Sequence, residues 1–315
     1  MRVVVIGGSG HLGSYLVPRL VEAGHAVTCV ARGVRKPWHE HSAWSEVQKV
    51  EVDRAAEESR GAFGDVIASL EADVVIDLIC YTLDSAQQLA DGLRGRVQHF
   101  LHCGTVWVHG SSVEAPTSES EPRRPFGEYG IRKAGIERYL LEQARSEHFP
   151  ATVLLPGHFV GRGWAPINPA GNFNPEVFSK LASGDEVLLP NIGMETVHHV
   201  HVDDIAQGFV LAISKRAAAV GESFHIVSPA ALTLRGYAER IGEWLNRPAQ
   251  LRFLPWDEWR LHFSERDAAV TWDHIAHSPN CSIAKARSRL GYEPRYSSIE
   301  AVKESVTWLM ENGKL

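Results

Sequence analysis

Cysteine is scarce in this chain. Only four occur among 315 residues, Cys29, Cys80, Cys103 and Cys281, and no two have CxxC spacing. That excludes a disulfide scaffold and a paired-thiol redox or zinc motif. The first three sit inside apolar runs, where a thiol behaves as a small buried hydrophobe in a reducing cytoplasm. Long apolar runs are missing as well. No segment approaches the ~18 residues of a membrane span, and the run in Met-Arg-Val-Val-Val-Ile-Gly-Gly is too short for a secretory signal. The expected location is cytoplasmic, with no membrane partner. A basic run is also lacking. With 32 Lys+Arg against 38 Asp+Glu, the formal net charge is −6, which argues against a nucleic-acid partner. No internal repeat or low-complexity tract is present.

What remains is ordinary globular composition, 44% hydrophobic and 22% charged. The length exceeds what one core grows to, so two domains or one large one are expected, with no need of a disulfide or metal staple. Short apolar segments at 2–6, 25–31, 47–52, 73–80, 97–103 and 151–155 read as strands. Helical spacing separates them at 11–23, 65–70, 85–93 and 129–146. This alternation predicts an α/β fold, a Rossmann-type doubly wound parallel sheet covered on both faces. Pro18 is expected to kink the first helix or force a local adjustment.

After Pro156 the texture changes to Gly-, Pro- and Asn-rich loop chemistry over 157–175. A strand-then-helix pattern returns at 198–213, and 232–245, 282–290 and 299–310 read as helices. The predicted division is a dinucleotide-binding domain over 1–156, to which 196–220 return. A smaller mixed α/β substrate-binding region takes 157–195 and 221–315.

Gly7-Gly8-Ser9-Gly10-His11-Leu12-Gly13 follows a strand and opens a helix. Gly7 permits the tight turn, Gly10 lets backbone N–H groups approach a pyrophosphate, and Gly13 lets helix and strand pack closely. His11 and Leu12 begin the helix whose N-terminus would stabilise the phosphates. At the end of the second strand, Ala31, Arg32 and Gly33 offer no carboxylate for a ribose 2′-hydroxyl. Arg32, with Arg35 and Lys36 behind it, suits a 2′-phosphate, so NADP is favoured over NAD; the alternative is a solvated basic loop. Asp53 follows the third strand and could accept from an adenine amino group or cap the strand end.

Tyr129 and Lys133 stand in Tyr-x-x-x-Lys spacing and share a helix face. An ammonium beside a phenol would lower the tyrosine pKa from ~10, giving a usable general acid or base. Upstream, Phe100-Leu101-His102-Cys103-Gly104-Thr105 brings a hydroxyl to the carboxyl edge of the sheet, where ligands bind in open α/β folds.

At this point the chain resembles the extended short-chain dehydrogenase/reductases, the NAD(P)-dependent epimerases and dehydratases. Matching pieces run in family order: the glycine loop, Thr105-Val-Trp-Val-His-Gly110, Tyr129 to Lys133, Pro156-Gly-His-Phe-Val-Gly161, His201-Val-Asp-Asp-Ile-Ala206 and Leu290-Gly-Tyr-Glu-Pro294. The resemblance implies that Thr105 orients the substrate hydroxyl, Tyr129 is the acid/base and Lys133 holds the nicotinamide ribose. Asp204 would be structural. Pro156 and His158 would line the nicotinamide, and a homodimer would form through a helix pair that includes the Tyr129 helix.

Departures from the family pattern bear on the substrate. Gly104 stands where members often carry Ser, and His109 where they often carry Tyr. The two arginines that clamp a sugar-nucleotide diphosphate align with Val197 and His277; Arg162 and Arg287 are the substitutes within reach. His198, His199 and His201, and the pair His274 and His277, are read as hydrogen-bonded or substrate-facing imidazoles, with no metal expected. Trp256, Trp259 and Trp272 are read as packing or lid residues, with base stacking as the alternative.

The expected function is epimerase- or dehydratase-type oxidoreduction of a sugar or sugar-nucleotide carbinol. An NADPH-dependent ketone or aldehyde reductase is the first alternative. A non-catalytic dinucleotide-sensing or RNA-binding relative is the second.

Overall fold

The computed structural model describes residues 1–146 and 149–315. One sheet dominates it, built from β1 Arg2–Ile6, β2 Ala26–Ala31, β3 Gln48–Glu51, β4 Val74–Asp77, β5 His99–Cys103, β6 Ala151–Pro156 and β7 Ser223–Ile226. The spatial order is β7-β6-β5-β4-β1-β2-β3, seven strands with every pair parallel. Strands β4, β5 and β6 are buried at every position, because helices cover both faces. The chain starts in the middle of the sheet, works outward to β3, then restarts at β4 on the other side of β1. That reversal leaves a crevice between β1 and β4, outside their carboxyl ends, where a doubly wound fold takes its ligand.

Helix α1 (His11–Glu22) follows β1 directly. It runs unbroken through Pro18, which is buried. The missing proline N–H costs one helical bond, and tertiary anchoring offsets it. Arg19 donates twice to Asp203, at 2.6 Å each, on the neighbouring helix α2 (Val202–Ser214). Helix α3 (Gly127–Ser146) carries the Tyr-x-x-x-Lys pair across the sheet edge.

A second lobe has its own core, with Phe178, Tyr237 and Trp259 at its centre. It contains three two-stranded ladders, His158–Val160 with His199–His201, Glu186–Pro190 with Gln250–Leu254, and Thr196–Val197 with Leu232–Thr233. Asp204 ties the lobes together. Its carboxylate accepts from the Arg295 and Tyr296 backbone N–H groups at 2.8 and 3.1 Å.

The expected boundary at 221 needs correction. Ser223–Ile226 closes the main sheet as β7, and Cys281, Ile283, Ala286, Leu290 and Tyr292 pack into the sheet's core. The change of texture after Pro156 marks a loop, not the chain's final departure. Of the three tryptophans, Trp256 stacks on Trp259 at 5.5 Å, Trp259 is fully buried with its indole N–H donating to the Leu188 carbonyl, and Trp272 tilts against Trp256 at 5.2 Å but stays half exposed.

Candidate active site

The glycine loop has the conformation its sequence requires. Gly7 has φ +84°, open to glycine at no cost, and its N–H donates to the Val30 carbonyl at 2.8 Å. Gly10 is the N-cap of α1 and offers no side-chain cap, so the first helical N–H groups are left for an anion. Gly13 packs so tightly that a Cβ would overlap the Gly8 backbone. Gly13→Ala should therefore displace the loop and weaken NAD(P) binding at least ~100-fold, or prevent folding outright. Gly135, inside α3, has open space around it. Gly135→Ala should be neutral or stabilise by up to ~1 kcal/mol. Cofactor titration and urea unfolding of both variants check the contrast.

A cleft of about 600 Å³ lies against this loop, lined by Gly7, Gly10, Arg32, Arg35, Asp53 and Ser85 among others. Its size, its uncapped helix end and the guanidinium groups of Arg32 and Arg35 fit a dinucleotide; Arg54 also lines it. Leu12 and Gly13 lie behind the cleft in the packing of α1. Of the two roles open to Asp53, the structure shows the cap: its Oδ1 accepts from Ala56 N–H at 3.2 Å, while the residue also lines the cleft. Arg54 was not anticipated. It is half-buried over the Phe63 ring and donates to Asp77 at 2.8 and 3.0 Å and to Glu58 at 2.6 Å.

His11 does not face either cleft with its ring. Its Nε2 lies 3.2 Å from the Arg162 carbonyl, and the imidazole stacks on Trp164 at 4.9 Å. Trp38 closes on Trp164 edge-to-face at 5.6 Å. The loop after β2 and the loop after Val160 thus meet over α1.

A second cleft, about 450 Å³, adjoins the first through Tyr81, which lines both. It brings together Thr105, Tyr129, Lys133, Pro156 and His158. Thr105 ends the turn after β5, and its hydroxyl accepts from Trp107 N–H at 3.3 Å. Tyr129 opens to the cleft, 44% exposed, with Trp107 edge-to-face at 5.9 Å. Lys133 is buried, and its Nζ donates to the Cys80 and Cys103 carbonyls at 2.8 Å each.

The electrostatics correct one expectation. Tyr129 is held above its ordinary pKa, first by burial of the phenolate and then by Cys103 and Tyr81. Its hydrogen bond to Thr105 pulls it down less. Lys133 does not depress it. Helical spacing puts the two side chains on one face, but the ammonium is held by two carbonyls, and burial lowers its own pKa.

Two further wall residues were not anticipated, Phe173 and Asp273; His274, read from the sequence as a hydrogen-bonded or substrate-facing imidazole, joins them from the same helix as Asp273, Glu265–His277. Val197 lies in the second core, and His277 is sandwiched between Trp107 at 4.1 Å and Phe126 at 3.9 Å. Neither substitute arginine reaches the cleft wall. Arg287 pairs with Glu293 at 2.8 Å, and Arg162 lies on the side of Glu304 and Tyr15.

The strand histidines act as struts. His198 Nε2 meets the Ser228 carbonyl at 2.9 Å, His199 Nε2 the Ile167 carbonyl at 3.2 Å, and His201 Nε2 the Glu304 carboxylate at 3.0 Å. Asp77, Cys80 and His102 converge with ligand-type atoms within 4.8 Å of one another. Asp77 is already engaged by Arg54, and burial pushes the Cys80 thiol up to about 12, so that sulfur stays protonated.

A parallel sheet entered by a glycine loop, with Thr, Tyr and Lys at its carboxyl edge, defines a Rossmann-type dinucleotide-binding protein. Comparison places it further: residues 3–226 match the NAD dependent epimerase/dehydratase family, and the chain belongs to that family. A dTDP-glucose 4,6-dehydratase from Actinoplanes sp. is 26% identical over 337 residues, covering 99% of this chain and 98% of the relative. A 2'-dehydrokanamycin reductase from Streptomyces kanamyceticus is 25% identical, covering 87% of this chain and 76% of that protein. Among solved structures, a UDP-glucose 4-epimerase from Thermotoga maritima superposes with a TM-score of 0.74 at 22% identity, covering 99% of both chains. No helix among the described residues is long and apolar enough to cross a membrane.

Proposed function

We propose that this protein is an NAD(P)-dependent epimerase/dehydratase-type enzyme that oxidises and reduces a sugar carbinol. The observation that carries the reading is the convergence of Thr105, Tyr129 and Lys133 on a cleft continuous with the glycine-loop cleft. When bound, the nicotinamide supplies hydride exchange. Gly7, Gly10 and the open end of α1 would hold the pyrophosphate, Lys133 the nicotinamide ribose, and Pro156 the ring's surroundings. Thr105 positions the carbinol oxygen, and Tyr129 gives or takes its proton. The named relatives act on dTDP-glucose, UDP-glucose or dehydrokanamycin, which supports a sugar substrate.

A reductase is the second reading, favoured by Arg32 in the cofactor cleft and by Val197 and His277 standing where diphosphate-clamping arginines were expected.

NADP is favoured over NAD because Arg32 and Arg35 line the cofactor cleft. Arg32→Ala should weaken NADP(H) binding about 10–150-fold more than NAD(H), the worth of a charged hydrogen bond. Equal losses on titration would make Arg32 a surface cation only. We also place the enzyme in the cytoplasm as a homodimer through α3, whose Ile131 is 55% exposed. Sedimentation of Ile131→Glu would report that contact.

A further inference from the structure

The wall of the second cleft carries information on what it takes, once the reading of it as a carbinol site is granted. Four large aromatic side chains open into this one crevice: Tyr81, Tyr129, Trp164 and Phe173, 52, 44, 36 and 42% exposed. Trp107 adds an indole beside Tyr129. Clustered exposed aromatics of this kind mark a binding surface. Against them stand few polar groups. His158 is half-buried in the wall, desolvation holds its ring neutral, and its enclosed Nε2 has no protein partner. Asp273 contributes a carboxylate at the rim.

Among the described residues, Lys133 is the sole cation on this wall; two of its N–H donors go to backbone carbonyls, and the third is the one assigned to the nicotinamide ribose. Both positions expected to clamp a diphosphate are filled by residues that pack elsewhere, Val197 in a core and His277 in an aromatic sandwich. A diphosphate brought here would lose its water without gaining a cation, and would face Asp273.

From this we infer that the substrate is a phosphate-free glycoside, not a nucleotide-linked sugar. The C–H faces of a pyranose match indole and phenyl surfaces. Its hydroxyls match Thr105, the unpartnered His158 Nε2 and the Asp273 carboxylate. The inference rests on the carbinol-oxidation reading for the identity of the pocket, but it concerns binding and not turnover.

The test is a titration of the NADP⁺-loaded enzyme, followed by tryptophan fluorescence and calorimetry. The probes are phenyl hexopyranosides on one side, and UDP-glucose and dTDP-glucose on the other. At least one phenyl hexoside should bind ~100-fold or more tightly than either nucleotide sugar, a difference consistent with burying an unpaired anion. His158→Ala should weaken that hexoside about 5–30-fold. A nucleotide sugar binding as tightly as the best hexoside overturns the inference, and so does failure of every hexoside to bind. The same titrations on Tyr129→Phe, which keeps the aromatic ring, should preserve the preference. Absence of nicotinamide reduction by any sugar would then remove the hydride reading while leaving the binding preference standing.

Discussion

Tyr129→Phe is expected to lower turnover by about 10²–10⁴-fold while leaving fold and cofactor binding intact. The substitution removes one oxygen and little volume, and general acid–base help is worth that factor. The loss should fall on kcat more than on KM. The pH profile carries a second signature. Tyr129 is held above its ordinary pKa, so the phenol is the resident form at neutral pH. Reduction, which needs a proton donor, should be flat through neutrality. Oxidation, which needs the phenolate, should rise about tenfold per pH unit well past neutrality. Lys133→Met should reduce activity and cofactor affinity together. It should not shift that alkaline limb in the ligand-free enzyme, because Lys133 binds the Cys80 and Cys103 carbonyls instead of the phenol. Full turnover by Tyr129→Phe would end the assignment.

Mild acid is expected to unfold the protein over a narrow pH range. Burial lowers His11, His198 and His274 to about 4, and His99, His109 and His199 to about 3. The folded values lie below the ordinary ~6.5, so the unfolded chain binds more protons once the pH drops under ~6.5. Stability from keeping these rings neutral is therefore complete above ~6.5 and lost below it. Each ring gives up about 1.4 kcal/mol per pH unit until its folded pKa is reached. Several acting together exceed a total stability of about 5–15 kcal/mol before pH 4. Urea midpoints at pH 7.5, 6 and 5 measure this directly. A midpoint unchanged down to pH 5 would show that these imidazoles can charge within the fold.

Much of the sheet was legible because its signals are local. The alternation of apolar runs with helical spacing located β1 to β6, and the glycine spacing located the turn into α1. Pro18 lies inside a continuous helix, and the Arg19–Asp203 pair that anchors this helix spans 184 residues, out of reach of local spacing. The substrate wall was legible only in part. Thr105, Tyr129 and His158 belong to motifs and His274 stood out as an imidazole, but Asp273 comes from an amphipathic helix with nothing to mark it. Helical spacing put Tyr129 and Lys133 on one face. It could not show that two carbonyls from distant strand ends would claim the ammonium. Arg54 was missed for the same reason: it opens a short helix, and its partner Asp77 is 23 residues away at the end of β4.

The helix at Glu265–His277 lies wholly beyond the stretch that matches the family, 3–226, yet it walls the cleft opposite Tyr129. The groups proposed to move hydride and proton thus fall in one portion of the gene, and part of the proposed substrate wall in another. On that reading, a library restricted to Val270, Asp273 and His274 is expected to change what is recognised while every proposed reacting group stays in place, so that selectivity is retrained without rebuilding the catalyst.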